Sequence, residues 1–475
     1  MLKFEDKKNY ILMIFPVFFL CICNFFIFNA DDLYAHFSAE AKDSLVVGNY
    51  GNYRYFIYAL SCLLRWVSID YFDNIIVVSL IYSFGLVYFC CQFSRYVGMN
   101  QKYTILFCIA VAFHGFMADL SSFTMAYWNY GISWLAMGAA LYCLRTNKGF
   151  PGTFAAITLS VVALTSYQVA AQLLILAAGC AYLHATIFKP EARPSWGALL
   201  RPVFVYGASC ALFLIMKKLL GPEWGRPVHF AALIHNINPY FINVWDEFFG
   251  GKYSSIFPMH ERFFYFISIV FIFLYLIFGI IRKKEYHYFV SVIVVMVCLA
   301  FAENPFNLPF DVFWPSPRSL TCASFLHAAL LVFAVEIVTS YRPHFQKFFL
   351  YAGAFFLLLS VNNQARLFME RWQQTQRDIE VGNGILNDIQ RVAGLYDGEK
   401  VAVISSWRNV AQLHTIAVMD YASSAFSTGW SPVPLLRKLS GADLQYASMQ
   451  SSVCHRVPVR WDVFKVGDVV VVCMQ

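Results

Sequence analysis

YILMIFPVFFLCICNFFIF, residues 10–28, followed at once by Asn29-Ala30-Asp31-Asp32, decides the fold class. As a helix rising 1.5 Å per residue the run is about 28 Å long, which matches the hydrocarbon layer of a bilayer. Lys3, Lys7 and Lys8 precede it, so the positive-inside rule puts the N-terminus in the cytoplasm and the paired acids on the outer side. A cleavable signal peptide is the competing reading. It is disfavoured because the run exceeds a usual signal core and Phe28-Asn29-Ala30 lacks the small residue expected before a cleavage point.

The rest of the chain repeats this character. Apolar residues make up 59% and charged residues 13%, against about a quarter charged in a soluble domain; a multi-pass membrane protein is predicted. The net charge of +7 does not point to nucleic acid, because the basic residues lie in short groups beside apolar stretches. Hydropathy and breaker residues predict eleven spans, near 10–28, 71–93, 103–118, 127–144, 152–166, 168–187, 200–219, 263–281, 287–302, 319–340 and 347–361. Threaded from a cytoplasmic N-terminus, they place Arg95/Lys102, Arg145/Lys148, Lys189/Arg193, Arg282/Lys283/Lys284 and Arg342/Lys347 all inside. Only Thr165-Ser166-Tyr167-Gln168 interrupts 152–187, and one long tilted helix there would invert everything downstream.

The expected architecture is an all-α polytopic domain, 1–361, with outer loops 29–70, 220–262 and 303–318, and a small α/β outer domain, 362–475. Residues 50–69, aromatic and apolar but carrying Arg54 and Arg65, predict an interfacial helix lying in the headgroup plane. In the tail, 364–394 reads as helix, and Val401-Ala402-Val403-Ile404 and Val469-Val470-Val471-Val472 as buried strands. Eleven of the thirteen cysteines fall in or beside apolar runs and act as small hydrophobes. Cys454 and Cys473, in the polar tail, are either a disulfide or two free thiols.

Asp31 and Asp32 lie where an outward-facing site at the membrane boundary needs a base: burial and a like-charged neighbour both raise a carboxyl pKa towards the range that suits one. Glu40 and Asp43 are substitutes in that role, and helix capping is the plainer reading of the acid pair. Asp119, Tyr167-Gln168, Glu303-Asn304 and Arg318 are further outward polar residues at span ends, individually consistent with caps or anchors and together lining one side of the bundle. Arg318 suits a lipid phosphate, with Arg54 and Arg65 as alternatives and headgroup snorkelling as the plain account. Lys217, Lys218, Arg226 and Lys252, predicted outside, also fit an anionic substrate. No phosphate-gripping Gly-rich loop, His-Glu-x-x-His or Gly-x-Ser-x-Gly is present, so cytosolic nucleotide chemistry is unsupported. Without Asp-x-Asp no cofactor is expected, a divalent ion being left open.

These features resemble the GT-C glycosyltransferases, polytopic enzymes that use lipid-phosphate sugars and carry acids in the first outer loop. More narrowly the chain resembles the serotype-converting O-antigen glucosyltransferases, the Gtr type-specific family. The resemblance is carried by Asn29-Ala30-Asp31-Asp32-Leu33-Tyr34, Gly51-Asn52-Tyr53-Arg54, Ser166-Tyr167-Gln168, Pro315-Ser316-Pro317-Arg318 and the segment from Asn362-Asn363-Gln364 with Asp378 and Glu380. Arg54 is not followed by the proline the family often has. The resemblance implies an inner-membrane enzyme with a periplasmic tail, an undecaprenyl phosphate-glucose donor and an O-antigen acceptor. It also implies a small flippase and a donor-synthesising transferase as partners. An O-antigen polymerase, a lipid-linked glycan flippase or transporter, and a membrane scaffold are the competing readings.

Overall fold

The computed structural model describes residues 4–27, 33, 49, 52–67, 74–121, 123–189, 196–220, 230–250, 253–254, 256–305, 308, 317–341, 346–405, 424–454 and 461–474. Asp31, Asp32, Glu40 and Asp43 lie outside these residues. The chain forms two compact units, one of Met1–Ile22, Gly48–Ser121 and Ala126–Gln364, the other of Cys23–Val47, Ser122–Met125 and Ala365–Gln475.

The first unit is a helical bundle: α1 (Phe4–Asn24), α2 (Tyr55–Trp66), α3 (Ile75–Val97), α4 (Gln101–Ala112), α5 (Gly115–Ser121), α6 (Tyr127–Thr146), α7 (Phe150–Leu164), α8 (Gln172–Phe188), α9 (Trp196–Leu220), α10 (Phe230–Phe248), α11 (Met259–Lys283), α12 (Tyr286–Ala302), α13 (Thr321–Tyr341) and α14 (Gln346–Val392). The chain passes to the second unit near the end of α1 and again within α14. Among the described residues, five helical segments are long and apolar enough to cross a membrane, in α3, α8, α9, α11 and α13, each of α8 and α13 taken with the 3-10 turn before it. The chain is a membrane protein. A sixth crossing is available if α4 and α5 count as one, but they are bent by 62° at Phe113-His114, where the sequence predicts a single span. The cause is local: His114 Nδ1 accepts from the Phe116 amide at 3.2 Å, capping the first turn of α5 and starting a new helix direction.

The doubtful stretch 152–187 is two helices. Had α7 continued straight to Phe188, its ends would stand about 57 Å apart, and the seven residues 189–195 reach about 25 Å at most. Yet Arg201, near the start of α9, donates to Thr153 Oγ1 at 2.9 Å and to the carbonyls of Leu144 (3.0 Å) and Asn147 (2.6 Å), beside the start of α7. The chain therefore reverses at 165–168. Small residues set a close crossing: a Cβ on Gly85 of α3 would stand 2.5 Å from the Gly131 carbonyl oxygen of α6, so the two backbones meet without side chains between them.

The segment expected at the interface contains α2, at about 18 Å too short to cross, with Trp66 82% exposed and Tyr55, Ile57 and Ser61 buried. The 220–262 stretch, expected as loop, contains α10, and its faces are reversed from those of a water-facing helix. Asn236, Asn243 and Glu247 are buried against the bundle while Ile234, Phe241, Ile242 and Trp245 are exposed, the pattern of a helix whose outer face meets lipid.

In the second unit, the part of α14 after Gln364 packs on a four-stranded sheet of β1 (Lys400–Ser405), β2 (Gln445–Tyr446), β3 (Trp461–Val466) and β4 (Val469–Met474), order β2-β1-β4-β3. β1 runs parallel to β2 and β4, and β3 returns to β4 as a hairpin turning at Gly467-Asp468. The four valines of β4 are explained by cover on both faces. Val470 and Val472 pack with Ile385, Ile389, Phe426 and Leu435, Val471 and Cys473 with Ile404, Val453 and Phe464. A further helix, α15 (Pro432–Ser440), completes the core. Leu33, immediately after the acid pair, is buried in this same core.

Cys454 and Cys473 are disulfide-bonded, 19 residues apart with Cα atoms 5.6 Å from each other, tying the 451–454 turn to β4. By the chain-entropy account the cross-link contributes about 3 kcal/mol. A Cys454→Ala/Cys473→Ala variant should therefore lose about two decades of amide-exchange protection across β1 and β4 and none in α3 or α11; unchanged sheet protection would show the bond to be neutral.

Asp378 on α14 is buried and holds the 424–431 segment: Oδ1 accepts from Ser424 Oγ at 2.6 Å and Gln374 Nε2 at 3.0 Å, Oδ2 from the Ala425 amide at 2.7 Å. Burial raises its carboxyl from 3.8 to about 6, against the opposing pull of these three bonds. A folded-state pKa above the unfolded one means that the native state holds the extra proton, so stability from this group is full below about pH 4 and is lost as pH rises through about 6. The change is about 3 kcal/mol. Exchange protection at 424–431 should fall over that interval, and Asp378→Asn, which keeps one acceptor and carries no charge, should flatten the profile.

Candidate functional site

The helices sort polar residues between two ends of the first unit. At one end lie Arg95, Lys102, Arg145, Lys189, Arg201 and Arg282–Lys284, drawn together by contacts such as Tyr96 Oη to the Ala198 carbonyl (3.2 Å), Tyr182 Oη with His287 Nδ1 (2.9 Å) and His184 with Glu336 (3.5 Å). All of these basic groups except Arg201 are ones that the sequence puts on one side, together with Lys148 and Lys347. Arg193 and Arg342 lie outside the described residues.

The other end gathers the predicted site residues. Tyr53 has left-handed backbone (φ 61°), which is uncommon for an L-residue and turns the chain into α2 immediately after Arg54. Lys217 Nζ lies 4.4 Å above the Tyr53 ring. The Arg54 guanidinium stands 5.5 Å from the Tyr167 ring, which meets the Tyr130 ring edge-on at 4.3 Å. Arg318 and Arg54 are both within electrostatic reach of Tyr130. Arg318 is anchored by its own main chain, its amide donating to Asp119 Oδ2 at 2.9 Å, and Asp119 is fully buried. Gln168 Nε2 donates to the Asn52 carbonyl at 2.7 Å, fastening the 165–168 turn to the loop that carries Arg54. Arg54, Asp119, Tyr167, Gln168 and Arg318, scattered over the sequence, thus share one end.

Glu303 belongs to a neighbouring buried network at that end. Its Oε2 accepts from Asn243 Nδ2 of α10 at 2.7 Å, and Asn304, in left-handed backbone (φ 57°), accepts from Gln172 Nε2 at 2.5 Å. Glu247, one helical turn beyond Asn243, is 2% exposed. Burial, and then the nearby Glu303 carboxyl, push the Glu247 carboxyl well above the usual range. His327 Nε2 lies 3.6 Å from Glu247 Oε1, and His327 Nδ1 is 3.2 Å from His114 Nε2. Asn363 and Gln364 tie α14 here through the carbonyls of Ile256 and His114, both at 3.0 Å.

Sequence reading missed Asn243, Glu247, His327 and His114. Two signals could have found them: a histidine inside the apolar run of α13, and the spacing of Asn236, Asn243 and Glu247, which puts these polar residues on one face of α10. Chemically, the arginine and tyrosine group supplies donors and positive charge for a phosphate ester, and the Glu303 network supplies buried acceptors for hydroxyl groups. No group of three or more His, Cys, Asp or Glu side chains suited to a metal occurs among the described residues.

No protein-family model, curated protein or solved structure matches the chain.

Proposed function

We propose that the chain is an inverting glycosyltransferase of the bacterial inner membrane that moves glucose from undecaprenyl phosphate-glucose to a sugar of the O-antigen repeat at the periplasmic face. The observation that carries this reading is the Arg54 guanidinium 5.5 Å from the Tyr167 ring, at the end of an apolar bundle where the Arg318 amide is anchored on the buried Asp119, with the basic topology signals at the other end. A cationic pair at a membrane boundary suits a lipid phosphate. The acids of the first outer loop and the short motifs shared with the Gtr enzymes support the same assignment.

In this reaction the acceptor hydroxyl oxygen attacks the anomeric carbon as the carbon–oxygen bond to phosphate breaks, inverting the centre. Its proton passes to Asp31 or Asp32, with Glu40 the substitute. The bond electrons leave on undecaprenyl phosphate, whose charge Arg318 or Arg54 balances. A phosphate leaving group needs little protonation, so one base and one cation suffice where a glycosidase needs an acid as well. Tyr167, Gln168, Asp119 and Glu303 position the sugars and the loops that hold them. The same reading has eleven crossings, a cytoplasmic N-terminus and a periplasmic second unit. The Cys454–Cys473 bond supports that placement, since disulfides persist in oxidising compartments. A donor-synthesising transferase and a small flippase are the expected partners.

Expression in a smooth-lipopolysaccharide strain supplied with the donor-making enzymes should add one hexose to each O-antigen repeat by mass. Unchanged repeat mass with normal membrane insertion overturns the proposal. The buried Glu247, His327 and His114 favour transport as a second reading, because ionisable groups deep in a bundle mark conduction paths. In that case His327→Ala abolishes movement of a lipid-linked glycan and repeat mass stays constant.

A further inference from the structure

A cavity of about 400 Å³ lies at the basic end of the bundle, remote from the residues just described. α11 starts beside the Glu303 network and ends at Lys283, about 37 Å away along the helix. The cavity is framed by Phe271, Tyr275 and Phe278 of α11 and by Ile337 and Val338 of α13. Its size is that of a small-ligand site. Tyr288 of α12 also lines it, and it can do so because residue 279 is glycine: a Cβ there would stand 2.3 Å from the Tyr288 ring.

Its polarity is one-sided. From Phe271 to Phe278 the α11 wall is aromatic, and the next turn brings Arg282 and Lys283 to the rim. Lys283 Nζ donates to the Tyr288 hydroxyl at 3.0 Å, and the Arg282 guanidinium lies 5.7 Å from the Phe278 ring, so both cations are held over the apolar trough. Glu336, adjacent in sequence to the α13 wall, is turned to His184. The wall from Phe271 to Arg282 is about 16 Å long, about half the hydrocarbon thickness of a bilayer. An occupant complementary to this shape has a tail one leaflet deep and an anionic head.

We infer that the α11–α12–α13 cavity is a binding site for an anionic phospholipid, its phosphate on Arg282 and Lys283 and one acyl chain against Phe271, Tyr275 and Val338. The site is independent of glycosyl transfer and lies at the opposite end from the residues assigned to it. Two cations near the surface select an anionic over a zwitterionic lipid by about thirtyfold.

The test is to reconstitute the full chain in nanodiscs of phosphatidylcholine with a minor share of phosphatidylglycerol, extract it gently and identify the retained lipids by mass spectrometry. Phosphatidylglycerol should be retained about thirtyfold above its bulk ratio. Arg282→Gln/Lys283→Gln should return the ratio to bulk. Val338→Trp, which fills the trough and leaves both cations, should lose the bound lipid as well and keeps the test decisive if the double variant fails to insert. A bulk ratio in the unaltered protein, or retention untouched by either variant, overturns the site. Binding of inorganic phosphate as tightly as the lipid also overturns it, because a tail would then contribute nothing.

Discussion

Replacing both acids of the first outer loop, in an Asp31→Asn/Asp32→Asn variant, should lower glucosyl transfer by about 10²–10⁴-fold, the usual worth of a positioned general base. Asparagine keeps size and hydrogen-bonding capacity but cannot take the acceptor's proton at neutral pH, so the loss falls on the chemical step and spares donor binding. The single variants assign the role. Whichever acid is the base should account for nearly the whole loss, and its neighbour should act through charge, shifting the acid limb of the pH profile downwards when neutralised because a like charge raises its partner's pKa. Donor retention measured alongside turnover separates this outcome from misfolding. Full activity in the double variant with normal insertion moves the base to Glu40 or ends the glycosyltransferase reading.

Apolar runs and charged flanks made the bundle legible because a span must satisfy its backbone internally and announces itself by composition. The strands at 401–404 and 469–472 were legible for a related reason: runs of apolar, mostly β-branched residues suit a strand covered on both faces, and β4, with four valines in a row, is covered so. What composition could not carry was direction within the membrane. The bend at His114 depends on one imidazole accepting one amide, and the reversed faces of α10 depend on what Asn243 and Glu247 meet across the bundle. The site shows the same division. Arg54, Asp119, Tyr167, Gln168, Glu303 and Arg318 could be picked out as polar residues at span ends, but the partition into an arginine and tyrosine group and a separate acid and histidine network arises from packing among distant segments. Leu33 is a further case: nothing in its neighbourhood shows that it joins a core built from Ile385, Phe426 and Val470.

Arg318→Ala should lower transfer by about 10²–10³-fold, the loss seen when one preorganised donor to a developing negative charge is removed. The substitution is a clean probe because the backbone amide of residue 318 bonds Asp119 at 2.9 Å, and that bond survives any side chain placed there. The loop keeps its seat and only the guanidinium is lost. Arg318→Lys should restore a small part of the rate, since an ammonium supplies charge but not the planar fork that matches phosphate oxygens. Asp119→Ala, by contrast, removes the anchor and leaves a buried amide unsatisfied, so it should reduce insertion and activity together. If Arg318→Ala retains activity within about threefold, a difference below 1 kcal/mol, the role passes to Arg54, whose guanidinium faces the same ring pair. An Arg54→Ala/Arg318→Ala variant that still transfers glucose at the unaltered rate would mean that neither guanidinium meets the leaving phosphate.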